Sequence, residues 1–178
     1  MSFKLLAFSE YKEICRELLT PHEQHEHPWD IDLETLKSNG YETLICDLDD
    51  TLVSSKQKTV ALQHLNWVQH CKDLGFKVYF LSNNRSRKRM VKIANQIDCS
   101  GLFGAIKPLS FSLQELVQLF DIDITKTIVL GDQLLKDTVV AKWVKAYAIL
   151  LKPIHKTSSL SGRLYRLFEA SLLKFVQQ

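Results

Sequence analysis

Ile45-Cys46-Asp47-Leu48-Asp49-Asp50-Thr51-Leu52 decides how this chain is read. Thr43-Leu44-Ile45-Cys46 is a short apolar run rich in strand formers, and it leads directly into three carboxylates. A run of this kind bounded by polar residues reads as a buried strand. The carboxylates then lie at its carboxyl end, where open α/β sheets bind ligands. Packing does not call for that ending, because clustered like charges repel and raise one another's pKa unless a cation neutralises them. A helix N-terminus following the strand would use Asp and Thr as caps. Capping accounts for the Thr and one Asp, but not for three Asp.

The flanking sequence continues the same architecture. Further strands are expected at 77–81, 102–106, 127–130 and 146–151, the one at 102–106 weakened by glycine. Helices are expected over 60–74, 86–96, 112–120 and 134–145, with Ser112 as N-cap and Glu115 completing a capping box. Strands alternating with helices of this length indicate an α/β fold, a Rossmann-like three-layer parallel sheet with helices on both faces. Before the first strand, a helix over 9–19 stops at Thr20-Pro21, and Asp32 caps a short helix, 33–38, that ends at Asn39-Gly40. Residues 1–40 thus read as a helical lead packed on the main domain, 41–178. His22, His25 and His27 fall in a Pro-bounded stretch with no visible scaffold. A solvated connector suits them better than a metal site, which needs defined ligand geometry.

Composition sets the bounds. The chain has 178 residues, 46% hydrophobic and 24% charged, enough for one domain with a real core. A net charge of +3 is too mild to imply nucleic acid, yet it is compatible with an anionic substrate. Four scattered cysteines, with Cys46 and Cys71 inside apolar segments, read as core residues in a reducing compartment. No signal-peptide pattern and no membrane-span-length apolar run is present, so a cytoplasmic location is expected.

Four polar signals fall at predicted strand ends: Asp47/Asp49/Thr51, Ser82-Asn83, Lys107, and Asp132 with Asp137. In a parallel sheet these ends share one edge and converge on one crevice. Carboxylates, a lysine and a hydroxyl together suit Mg²⁺ plus a phosphate. Mg²⁺ takes hard oxygen ligands, lysine supplies a point charge, and Ser with nearby backbone N–H groups holds phosphate oxygens. A carboxylate can then act as nucleophile.

With these four motifs in order over about residues 41–153, the chain resembles the haloacid-dehalogenase-like phosphatase superfamily. The resemblance implies Asp47 as nucleophile, Asp49 as general acid/base, Ser82, Asn83 and Lys107 as phosphate-binding residues, and Mg²⁺ held by Asp47, Asp132 and the Asp49 carbonyl. It also implies that Thr51 supports the motif-one loop and that Asp137 ligates or orients the metal shell. The 35 residues from Asp47 to Ser82 and the 25 from Ser82 to Lys107 leave no room for a large cap domain. A capless crevice suits a macromolecule, a lipid head group or a site closed by another subunit. Leu81-Ser-Asn-Asn84, Lys107-Pro108, Gly131-Asp-Gln-Leu-Leu135 and Ala148-Ile-Leu-Leu-Lys-Pro-Ile154 resemble the capless phosphatidylglycerophosphatases. Two positions depart from that family. Its motif-one Asn is Asp50 here, and its Asn-x-x-Gly after motif four is Lys142-Trp-Val-Lys145.

The resemblance thus leads to an expected enzyme: an Mg²⁺-dependent phosphomonoester hydrolase, with a phosphorylated lipid head group as partner and peripheral contact with anionic membrane. A phosphatase for a nucleotide, nucleic-acid end or protein is the first alternative, and a non-catalytic phosphate- or metal-binding regulator is the second. Leu160, Leu164, Leu167, Phe168, Leu172 and Phe175 form an apolar stripe edged by Arg163 and Lys174. This stripe fits a helix packed on the domain, the preferred reading, or one lying in a bilayer surface. Arg85, Arg87, Lys88, Arg89 and Lys92 fit either a solvated helix face or an anion-attracting patch beside Ser82.

Overall fold

The computed structural model describes residues 8–107, 109–155 and 171–172. In chain order the elements are α1 (Phe8–Leu19), β1 (Glu23–His25), α2 (Leu33–Ser38), β2 (Thr43–Cys46), α3 (Leu62–Asp73) and β3 (Lys77–Ser82). There follow α4 (Arg87–Ile97), β4 (Ser100–Phe103), α5 (Phe111–Leu119), β5 (Thr127–Gly131), α6 (Val139–Trp143) and β6 (Tyr147–Leu151). The six strands make one parallel sheet in the order β1-β6-β5-β2-β3-β4. This is the expected Rossmann-like α/β architecture. From β2 the chain winds outward through β3 and β4, then returns to place β5 on the other side of β2. The topological switch point therefore lies between the carboxyl ends of β2 and β5, the position at which such sheets bind ligands.

Alternation along the strands sorts the core into two layers. Leu44, Cys46, Val78 and Phe80 join α3 and α4 through Val68, Cys71, Met90 and Ile93. Ile45, Leu81, Val129 and Ala148 point the other way, onto Leu113 and Leu116 of α5 and Val140 and Ala141 of α6. Both faces of β2 are covered, which is why it reads as a continuous apolar run. Burying each such Leu or Ile contributes on the order of 1.5–3 kcal/mol. Asp32 caps α2 by accepting from the Thr35 N–H at 2.9 Å, as its position implied.

Four local expectations are corrected. The strand expected at 102–106 is β4, Ser100–Phe103, because Gly104 turns the chain at φ +73° and ends the pairing with β3. α5 starts at Phe111 with Ser110 as its N-cap residue, and the Ser112 hydroxyl instead accepts from the Ile106 N–H at 3.3 Å. The stretch read as a solvated connector contains β1, an edge strand pairing Glu23–His25 with Ile149–Leu151. Its polar residues suit an edge, and their side chains make specific contacts. His22 Nδ1 accepts from the Ala148 N–H at 2.9 Å and its ring stacks on Tyr147, while His25 pairs with Glu23 at 2.7 Å. Finally, Arg89 is separated from the basic surface run, as described below. The apolar stripe from Leu160 to Phe175 lies outside the described residues except at Leu172, which is half-buried against the cluster of Leu19 and Leu134. Among the described residues no helix is long and apolar enough to cross a membrane.

Candidate active site

Asp47 extends the ladder one residue past β2, its N–H donating to the Leu130 carbonyl at 2.8 Å. This bond aims the side chain into the switch-point crevice, where it is buried. The chain then turns tightly, with the N–H groups of Leu52 and Val53 converging on the Leu48 carbonyl. Asp50 adopts φ +64° inside that turn, a conformation that Asp and Asn tolerate better than most residues. Its Oδ1 accepts from the Ser55 N–H at 3.1 Å. The Asp-for-Asn departure therefore sits at a backbone position that both side chains can serve.

Lys107 is the centre of the site. Its Nζ donates to Asp47 Oδ1 at 2.6 Å and to Asp137 Oδ1 at 2.7 Å, and all three side chains are at most 8% exposed. Asn83 pins the lysine from behind. Its Oδ1 accepts from the Lys107 N–H at 3.1 Å, and its Nδ2 donates to the Lys107 carbonyl at 3.2 Å. In the described structure Asn83 thus positions Lys107. Ser82 is buried at the end of β3, its hydroxyl accepting from the Asn84 N–H at 3.2 Å.

Asp137 reaches the cluster because Leu134–Thr138 winds as a single π-helical turn, a local insertion common at functional sites. The Asp137 carboxylate lies where a Cβ on residue 131 would be, so Gly131 is required by close approach. Its second oxygen accepts from the Gln133 N–H at 3.1 Å. Asp132 follows β5 directly and is buried, with the Thr51 hydroxyl 3.5 Å from its Oδ1.

One cation facing two buried carboxylates leaves excess negative charge. Burial pushes the Asp47 carboxyl up to about 7, against the pull of Lys107, with the charges of Asp137 and Asp49 adding to the rise. Lys107, drawn by Asp137 and Asp47, is held firmly in its charged form despite burial. This donor set fits a hard divalent cation at Asp47 and Asp132, on adjacent strand ends. Among the described residues no three His, Cys, Asp or Glu side chains are preassembled to hold a metal. A set drawing on two carboxylates and the Asp49 carbonyl does not require such a trio.

Sequence reasoning assigned Asp49 a role but missed the groups that hold it. Asn84 Nδ2 donates to Asp49 Oδ2 at 2.8 Å, and Arg89 NH1 lies 2.5 Å from Asp49 Oδ1. Arg89 is buried, and its remaining donors bind the Gln57 carbonyl at 2.8 Å and the Ser54 carbonyl at 3.0 Å. A signal for this was present, since Arg89, Ile93 and Ile97 share one helical face. Arg85, Arg87 and Lys88 remain exposed.

No family model matches the chain. It is 25% identical over 165 residues to a Bacillus subtilis (strain 168) protein named "Probable phosphatase YqeG", covering 93% of this chain and 95% of that protein. A crystal structure of an uncharacterized protein from Listeria monocytogenes serotype 4b superposes with a TM-score of 0.55 at 17% identity, covering 67% of this chain and 84% of that one. A HAD phosphatase from Thermococcus onnurineus gives a TM-score of 0.48 at 17% identity, over 57% of this chain and 51% of that one.

Proposed function

We infer that the chain is a phosphatase of the haloacid-dehalogenase-like type, hydrolysing a phosphomonoester through an aspartyl-phosphate on Asp47. The observation that carries this reading is the Lys107 bridge, which draws Asp47 and Asp137 from two distant segments to the switch point. The similarity to a relative named as a phosphatase supports it. Mg²⁺, held by Asp47, Asp132 and the Asp49 carbonyl, would supply charge neutralisation for the phosphoryl oxygens. In the first step an Asp47 oxygen attacks phosphorus, the bond to the leaving oxygen breaks, and Asp49 gives that oxygen a proton. In the second, Asp49 takes a proton from water as the water oxygen attacks phosphorus, freeing phosphate and regenerating Asp47. Lys107 fixes the orientation of the Asp47 carboxylate in both, as nucleophile in the first step and as leaving group in the second.

The finer reading is hydrolysis of phosphatidylglycerophosphate at a membrane surface. The motif-one loop and α3 alone join β2 to β3, and α4 alone joins β3 to β4, which favours an open crevice. Ile106, Leu109 and Phe111 are exposed on either side of Lys107, and Arg85, Arg87 and Lys88 are exposed on the segment after β3. Apolar tips beside cations suit an anionic interface.

The test is turnover of p-nitrophenyl phosphate, phosphatidylglycerophosphate and a nucleotide, with EDTA, Mg²⁺ and Asp47→Asn as controls. Metal-dependent release of phosphate, nearly abolished in a folded Asp47→Asn variant, is expected. Full activity in chelator or in that variant removes the site as assigned.

A further inference from the structure

β1 has three residues and no apolar side chain, so its place in the sheet depends on individual bonds. Glu23–His25 pair with Ile149–Leu151, and the ladder continues at both ends. The His22 N–H donates to the Ala148 carbonyl at 2.9 Å, and the Lys152 N–H donates to the His25 carbonyl at 3.0 Å. One further bond differs in kind. Ala148 has no exposed surface, and its N–H meets the ring nitrogen Nδ1 of His22 at 2.9 Å rather than a carbonyl. A backbone N–H only donates, so Nδ1 must be the unprotonated nitrogen of a neutral ring. His22 is otherwise exposed, and solvent protons reach it.

Titratable groups face this ring from each element packed against it. Tyr147 of β6 stacks on it at 4.4 Å, and the Tyr147 hydroxyl donates to Glu23 Oε1 at 2.8 Å. Tyr41 lies against Tyr147 at 4.9 Å, and Glu23 Oε2 pairs with His25 Nε2 at 2.7 Å. Partial burial and the charge of Lys142 on α6 lower the His22 pKa from 6.5, outweighing the Ala148 backbone, Glu23, and Glu17 of α1. Burial and Glu23 push the Tyr147 phenol up to about 12, so it stays neutral while His22 titrates. A ring protonated at Nδ1 could turn only to the Ala148 carbonyl, which already accepts from the His22 N–H. The buried Ala148 N–H would then face a donor or nothing, an unfavourable state for a backbone group.

β1 is also tied to the site. Residues 24–29 line the cavities beside Asp132 and Thr51. Two residues past the Lys152 bond, the Ile154 N–H donates to the Asp50 carbonyl at 2.8 Å, within the turn that follows Asp47. We propose that His22 is an acid-sensitive latch: neutral, it holds β1 on β6, and protonated, it frees Glu23–His25 from the sheet edge and loosens the walls beside Asp132 and Thr51. The freed segment takes up the proton more readily than the docked one. Docking is therefore strongest above pH 6.5 and weakens as pH falls below it. The latch stands apart from the phosphatase reading, because it shows in exchange and not only in turnover.

Amide hydrogen exchange of the full chain, corrected for the intrinsic effect of pH on exchange, is compared at about pH 7.5 and about pH 5.5. Relative to β2, protection over residues 22–26 should fall about tenfold at the lower pH, the size of one net hydrogen bond. His22→Asn, which offers an amide oxygen and does not titrate, should remove that dependence. His22→Phe, which keeps a ring for Tyr147 and deletes the acceptor, should be poorly protected at both values. A readout without variants is ¹⁵N NMR of the native chain, in which the Ala148 amide and the His22 ring should titrate together with a midpoint below 6.5. Unchanged protection of β1, an equal fall in His22→Asn, or a loss shared by β2 overturns the latch. So do separate midpoints for Ala148 and His22.

Discussion

The charge balance around Lys107 allows a test that needs no substrate. Without a cation the Asp47 carboxyl titrates at about 7 in the folded protein, against an ordinary value of 3.8, chiefly because it is buried. Between those values the folded protein holds a proton that the unfolded chain has released. Stability of the metal-free protein should therefore fall as pH rises from about 4 to about 7. A gap of roughly three pH units, at about 1.4 kcal/mol per unit, sets a ceiling of about 4 kcal/mol on that loss. A divalent cation competes for the same charge, so it should bind more tightly as the proton leaves. At a concentration near one hundred times its Kd, Mg²⁺ should add about 2.7 kcal/mol of stability. For a chain of this size that is roughly 5–10 °C in Tm. Differential scanning calorimetry at matched ionic strength, at about pH 5.5 and about pH 8, compares the native chain with Asp132→Asn. The reasoning fails if Mg²⁺ gives no shift at the higher pH, an equal shift at both, or an undiminished shift in Asp132→Asn.

Other perturbations separate the remaining roles. Asp49→Asn should lower hydrolysis of an alkyl phosphate by about 10²–10⁴-fold and of p-nitrophenyl phosphate by much less, because the latter's leaving group needs no proton; equal losses would limit Asp49 to shaping the metal site. Arg89→Gln should follow the same leaving-group pattern more weakly, since it releases Asp49 from its ion pair, and should cost about 2–3 kcal/mol of stability in urea melts through its lost charged hydrogen bonds. Lys145 has φ +64° at the end of α6, where the Ala146 N–H returns to the Ala141 carbonyl; Lys145→Gly should raise stability by about 0.5–1 kcal/mol in the same melts.

Much of this fold was legible because its strands are covered on both sides. Thr43–Cys46 and Thr127–Gly131 are buried at every position, so each shows as an unbroken run bounded by polar residues. Asp47, Lys107, Asp132 and Asp137 could be selected because packing gives no reason for charge at the end of such a run. What the sequence withheld were pairings. Nothing in the spacing says that Lys107 joins Asp47 to Asp137, or that Asn83 holds the Lys107 backbone. β1 was illegible because a three-residue edge strand buries too little to show an apolar pattern. The Lys145 departure is clearer with the structure in hand. Position 145 is a left-handed helix end at φ +64°, which glycine would adopt freely and lysine adopts at a cost in strain.

Arg89 and β1 together explain how a crevice with such short strand connections acquires walls. On one side, the helix after motif two turns a buried arginine back onto Asp49 and anchors it to the Ser54 and Gln57 carbonyls. That links Asp49 to the segment between β2 and α3. On the other side, the N-terminal segment adds β1 to the sheet and carries Glu26 to Trp29 over the ends of β6 and α3. Both walls rest on regular structure: the arginine on the apolar face of α4, and the Trp29 turn on backbone pairing with β6. Groups held this way keep their geometry before any ligand arrives, which preorganised catalysis requires. Residues 24–29 therefore line the cavities that open beside Asp132 and Thr51, so substitutions there should change relative rates among phosphate esters.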